Sequence, residues 1–361
     1  MSSPLPVTFF YPFPAELALL PVLDLEDPAF WCHEGTGRRR AWILQTYLRL
    51  HTAGWPVSIS DTLPERGIVV LLPERSIRTA FLAQFTRRHR ALVVVTVRAD
   101  VTEYRSLLGE VDVVQNGRFA SEHGSVFFVP HWPQPGLVPR DPTRGTKIEN
   151  IVFKGGFGSL LADFRSDPWH EYLARRNLTF HIASAETEGA TPPWHDYRTA
   201  DLNLAVRPSY DDGELRCEKP ASKLINAWHA GVPSVLGPEY AFRELRRSTL
   251  DYLEVTSLEE ATAAIDTLRA RPTLYTRMVE HGRRRAQEFT PARITERWAE
   301  VLFEKVPTVA RRPANRGIRP LPGPLRTAAN LLLDPPSPYE FRKRVGRGLR
   351  RIRAFGHSLW A

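Results

Sequence analysis

Cysteine is nearly absent: the 361 residues hold two, Cys32 and Cys217, far apart and in unrelated surroundings. That excludes a disulfide framework and a thiolate zinc site, and it fits a reducing compartment. Long apolar runs are missing as well. The apolar piece at residues 17–25 is short, broken by Pro21 and followed by acids, so neither a signal peptide nor a membrane span is expected there. Asp-x-Asp occurs nowhere, Asp24-Leu25-Glu26 coming nearest, and no two of the 11 histidines stand at metal-ligand spacing. No bound metal or other cofactor is expected.

What remains is the composition of a chain that folds, with 42% hydrophobic, 25% charged and 10% aromatic residues. The length exceeds one open α/β domain and favours two domains with an appendage. Net charge is +9, and it is unevenly placed. After residue 306 there are eleven Arg and one Lys against Asp334 and Glu340, a surplus of ten, which leaves the first 306 residues near neutral. A basic excess confined to the tail argues against a duplex-binding globular surface, and no nucleic-acid partner is expected.

Apolar runs at 7–11, 57–60, 68–72, 92–97, 111–115 and 126–129 read as short buried strands, with helical spacing at 39–51 and 77–87 between them. Strands alternating with helices imply a parallel sheet covered on both faces. Pro133, Pro135, Pro139, Pro142, Gly136 and Gly145 then rule out helix and central strand. A second alternating region follows, with strands at 151–154, 178–183, 202–206, 233–236 and 252–255 and helices at 168–176, 221–230, 241–247 and 258–270. Helices at 274–289 and 291–305 come next, with no strand between them. The organisation expected is a first α/β domain over 1–132, a linker over 133–147, a second α/β domain over 148–290, a helix over 291–306 returning toward the first, and a basic tail over 307–361. Two such units create a cleft, and clefts of this kind bind nucleotides. In the tail, Phe341, Val345, Leu349, Ile352, Phe355 and Leu359 recur at helical steps with most of the arginines off that stripe. This is the pattern of an amphipathic helix that lies on an anionic membrane surface.

The most specific segment is 218–239, EKPASKLINAWHAGVPSVLGPE. Pro220 suits the first turn of a helix whose backbone N–H groups and positive dipole end have Lys219, Ser222 and Lys223 beside them, an anion site by construction. Gly231 ends the helix and 232–236 enters the sheet. Here the chain resembles nucleotide-sugar glycosyltransferases of the GT-B class. In the retaining family numbered four the corresponding segment runs glutamate, seven residues, glutamate, Ala-x-x-x-Gly-x-Pro. Glu218 and Asn226 have that spacing, followed by Ala227, Gly231 and Pro233, with Asn226 in place of the second carboxylate. An amide still bonds a ribose diol. The chain is also similar to bacterial exopolysaccharide-type transferases in Lys219-Pro-Ala-x-Lys-Leu-x-Asn-Ala-Trp, His131-Trp-Pro-Gln-Pro, Trp194-His-Asp-Tyr and Ala205-Val-Arg-Pro. The likeness covers roughly residues 35–300 and leaves out the tail. It implies two Rossmann-like domains facing a cleft, and hexosyl or similar transfer from a nucleotide sugar to a glycan or lipid-linked acceptor. The chain would then be cytoplasmic and peripheral at the inner membrane face.

Other residues join that expectation. Gly155 and Gly156 follow a strand and precede a helix, a turn through which backbone approaches a diphosphate closely. Arg207 ends a strand at the edge that lines such a crevice and suits bidentate contact with phosphate. Gly35 and Gly37 open the helix at 39–51 on the acceptor side, where a solvated basic turn is the competing reading for Arg39 and Arg40. His33, Glu34, Asp24 and Asp100 are candidate bases, since an attacking hydroxyl must lose its proton. A competing function is a catalytically silent GT-B module that binds a nucleotide or glycan in a polysaccharide assembly complex.

Overall fold

The computed structural model of the chain describes residues 5–32, 37–99, 108–121, 124–189, 191–208 and 219–311. Two parallel sheets organise it. The first holds β1 (Val7–Phe10), β2 (Val57–Ser60), β3 (Arg66–Leu71), β4 (Ala91–Arg98), β5 (Val111–Val114) and β6 (Val126–Phe128), in the order β2-β1-β3-β4-β5-β6. Ile68, Val69, Val70 and Leu71 are all fully buried, as a strand covered on both faces requires. The second holds β7 (Asn150–Lys154), β8 (Thr179–Ala183), β9 (Leu202–Ala205), β10 (Ser234–Leu236) and β11 (Leu253–Glu254), in the order β11-β10-β9-β7-β8. Strand order reverses at β7, so the crevice off its carboxyl end is where a ligand fits such a sheet.

Several helices differ in detail from the sequence reading. The helix 37–52 contains a π-turn at Arg40–Leu44, and the helix Pro291–Ala299 runs into a second at Glu300–Lys305. The turn after β7 leads into the 3-10 turns Phe157–Ser159 and Ala162–Arg165, and the helix Asp167–Arg176 starts only after them. Ser222, not Pro220, begins the helix Ser222–Ala230, with Gly231 in the left-handed conformation at its end.

Each sheet has its own core, and the segment after the second domain belongs to the first. Ile294, Trp298, Leu302 and Val306 are fully buried among the apolar residues of the first sheet, and Phe303 stacks on Trp55 with ring centres 5.0 Å apart. Truncating a buried Trp of this kind typically costs about 3–5 kcal/mol. The proline-rich connection between the sheets is held to the second domain: Arg140 N donates to Ala230 O at 3.0 Å, and Val138 N to His195 O at 2.9 Å.

Candidate functional site

A cavity of about 220 Å³ lies between the two domains, with Trp31, Gly37 and Gln45 on one side and Gly155, Ser222 and Lys223 on the other. The second-domain wall starts at Gly155, directly after β7. Its φ of +148° is a region that side chains avoid, and a Cβ there would lie 3.2 Å from Lys223 Nζ and 3.3 Å from the Phe153 ring. The backbone angle favours glycine, and an added methyl would crowd the lysine and the ring. Lys223 sits in the first turn of Ser222–Ala230, whose N-cap, Ala221, offers no side-chain hydrogen bond. Under that helix Asn203, fully buried, donates through Nδ2 to Ser234 Oγ at 3.1 Å. A glycine backbone, an uncapped helix start and an ammonium thus converge on the same space, an arrangement suited to a diphosphate.

Lys154, the last residue of β7, is 7% exposed. Its ammonium donates to Pro193 O at 2.8 Å and Asp196 O at 2.7 Å, and lies 4.5 Å from the Tyr197 ring centre. Burial lowers its pKa to about 8, against the pull of Asp196 and Cys32. The lysine therefore pins the 193–197 loop to the cavity while keeping most of its charge at pH 7. Asn226 Oδ1 accepts from Gln134 N at 2.9 Å, tying the connection to the helix and leaving two amide N–H donors. Gln134 Nε2 contacts Cys32 Sγ at 3.2 Å, and that sulfur is 3.9 Å from His195 Nδ1 across the cleft. Burial pushes the Cys32 thiol up to about 11, opposed by His195 and Lys154, so it stays protonated and serves as packing. Burial also lowers the His195 pKa. His131, on the cavity wall, donates from Nδ1 to Trp132 O at 2.6 Å, which fixes a proton on that nitrogen.

Of the residues named from sequence, Gly37, Gly155, Ser222, Lys223 and Asn226 line this one cavity. Gly156 faces elsewhere: a Cβ on it would stand 3.4 Å from Glu186, which also accepts from Phe157 N. Arg207 is taken up by a carboxylate. Its Nε donates to both oxygens of the buried Glu239, at 3.0 and 3.1 Å, so the edge expected to grip phosphate is already paired. Lys219 precedes the helix and is not on the cavity wall. Asp24 is exposed and closes a turn, its carboxylate accepting from Glu26 N, and it is not on the cavity wall. His33, Glu34, Gly35, Asp100, Glu218, Cys217 and the tail from residue 312 lie outside the described residues. Lys154, Gln45 and Trp31 also line the cavity, and the sequence pattern does not mark them. The one available signal was a lysine ending a buried strand beside glycines.

No family model matches the chain, and no curated protein matches it in sequence. Solved structures do resemble it. The sucrose-phosphate synthase of Thermosynechococcus elongatus is 14% identical, with a TM-score of 0.52 over 82% of this chain and 98% of that one. An α1,3-fucosyltransferase with GDP-fucose is 8% identical, with a TM-score of 0.49 over 87% of this chain and 93% of that one. The chain spans about three fifths of the length of two others, 61% of the GtfA/B complex chain and 58% of TarM. With its two parallel α/β sheets and the cavity between them, the chain has the GT-B glycosyltransferase fold.

Proposed function

We propose that the chain transfers a glycosyl group from a nucleotide diphosphate sugar to a hydroxyl of a glycan or lipid-linked acceptor. One observation carries this reading: Gly155 and the helix start at Ser222 and Lys223 share a wall of the interdomain cavity. In such a transfer the acceptor oxygen bonds to the anomeric carbon as the bond from that carbon to the phosphate oxygen breaks. The electron pair leaves with the diphosphate, and a base takes the hydroxyl proton. Charge grows on the diphosphate, where the Lys223 ammonium and the helix dipole offset it. Among the described residues, His131 is the imidazole that lines the cavity.

The test is calorimetry with a panel of nucleoside diphosphates. Lys223→Ala is expected to weaken binding by about 1.5–3 kcal/mol, the range for hydrogen bonds to charged groups. Unchanged affinity would take this wall out of the phosphate site. Metal independence belongs to the same reading: it is supported by a lysine and a helix start that line one cavity wall and by a sequence without Asp-x-Asp. Transfer is expected to continue in chelator. Activity lost in chelator and restored by magnesium or manganese would count against the assignment.

The basic tail is the natural part to meet a lipid-linked acceptor's membrane. No helix among the described residues is long and apolar enough to cross one. About 1 kcal/mol of attraction per basic residue near an anionic surface, added to burial of the Phe341–Leu359 stripe, is enough for reversible docking. Full-length protein is expected to float with anionic liposomes in a salt-sensitive way. A chain ending at Arg311, which keeps the buried Val306, is expected not to. Equal flotation of the two would remove the tail from membrane binding.

A further inference from the structure

This step rests on the transferase reading and concerns the opposite wall of the cavity. Gln45 is 1% exposed and yet lines the cavity. It follows the π-turn Arg40–Leu44, which inserts extra chain into the helix and so resets the face presented from Gln45 onward. In the amide orientation that satisfies its neighbours, Gln45 Oε1 accepts from Arg49 Nε at 3.1 Å and Nη2 at 3.2 Å. Arg49 is itself fixed. Its Nη2 meets Glu26 Oε1 at 2.9 Å, its guanidinium lies 5.4 Å from the Trp132 ring centre, and the other oxygen of Glu26 accepts from Gly136 N at 2.8 Å.

The amide oxygen is therefore spent on Arg49, and the N–H donors are the end that serves the cavity. Donors prevail around them as well: Asn226 keeps its amide N–H pair, Lys154 and Lys223 bring cations, and no carboxylate of a described residue lines the space. A buried amide oriented through a chain of three side chains, from Glu26 to Arg49 to Gln45, is preorganised for a neutral acceptor oxygen. A neutral amide is less suited to a diphosphate than an ammonium is, and a hydroxyl-bearing ring suits it. We infer that Gln45 is a specificity-determining residue that donates a hydrogen bond to a hydroxyl oxygen of the transferred sugar, with Arg49 as the residue that positions it.

The experiment compares each nucleoside diphosphate with its sugar conjugate on the full chain by calorimetry. The probes are UDP and GDP against UDP-glucose, UDP-N-acetylglucosamine, GDP-mannose and GDP-fucose. Gln45→Met keeps the volume and removes the donor. It is expected to leave diphosphate affinity within two-fold of wild type while weakening the preferred sugar conjugate about five- to ten-fold, as loss of one neutral hydrogen bond predicts. Gln45→Asn, which keeps an amide but withdraws it by one methylene, is the second variant, and Arg49→Lys is expected to lose part of the same increment without changing diphosphate binding. Equal weakening of diphosphate and conjugate would show a merely structural glutamine and overturn the inference, as would an unchanged sugar increment. A wild type that binds no conjugate better than its diphosphate also overturns it. Failure of the wild type to bind either diphosphate is a different result, for it sinks the transferase reading itself.

Discussion

Asp201→Ala is expected to lower the stability of the folded chain by about 3–5 kcal/mol, read as a lower urea midpoint at unchanged slope. The carboxylate is fully buried where the connection meets the second sheet. Oδ1 accepts from Arg140 Nη2 at 2.7 Å and Arg144 Nε at 2.8 Å. Oδ2 accepts from Arg144 Nη2 at 2.8 Å and from the Glu149 and Asn150 amides at 2.9 Å. Removing it strands Arg140, itself 7% exposed, together with two backbone donors. An uncompensated buried charge costs more than the intact pair contributes, which sets the size of the loss. Burial alone would raise the Asp201 pKa, but the hydrogen bonds from Arg144, Glu149 N, Asn150 N and Arg140 prevail and hold it below the usual carboxylate range. A carboxyl depressed in the folded state stabilises fully above its unfolded pKa and loses that contribution as pH falls through the folded value. Wild-type stability is thus expected to decline below about pH 4, and Asp201→Asn to flatten that acid limb. A wild-type limb of unchanged steepness in the Asn variant would show that other carboxylates govern it.

Gly155→Ala is expected to weaken nucleoside diphosphate binding by at least about ten-fold, or 1.4 kcal/mol. Two effects add. The backbone at φ +148° is strained for any side chain by about 1–3 kcal/mol, and the new methyl would press on Lys223 Nζ from 3.2 Å. The neighbour is a flexible ammonium, so the chain still folds by moving Lys223 away from the place where the phosphate would sit. Gly158→Ala is the control, because nothing lies within 4 Å of a Cβ there. Calorimetry on both variants checks the prediction, and equal affinities would show that the close approach at Gly155 has no part in binding.

The α/β alternation was legible because the buried strands are nearly unbroken apolar runs: Ile68–Leu71 and the valines of β4 admit no other partner than a sheet covered on both faces. The glycine turn and the Lys223 helix could be read separately, since each has its own local grammar of backbone freedom and dipole. What local pattern does not encode is pairing at a distance. Arg207 looked poised for phosphate, yet its partner Glu239 stands 32 positions on. Asn226 looked like a ribose ligand, yet its oxygen meets the Gln134 amide 92 positions away. Gln45 was invisible for another reason: a reading based on 3.6 residues per turn assigns faces wrongly once a π-turn intervenes. Lys154 reads as a strand end, and only the carbonyls of Pro193 and Asp196 give its burial a purpose.

The return of Ile294, Trp298 and Leu302 to the first core also bears on the order in which the chain can mature on the ribosome. The first sheet has its last strand at Phe128, but the groove that receives Trp298 waits for the whole second domain to be synthesised. At about 5–20 residues per second that wait is on the order of ten seconds. The usual vectorial sequence, in which the leading domain finishes before the next begins, is therefore closed to this chain. Its second domain matures as an insertion inside an unfinished first one, and the first is sealed last.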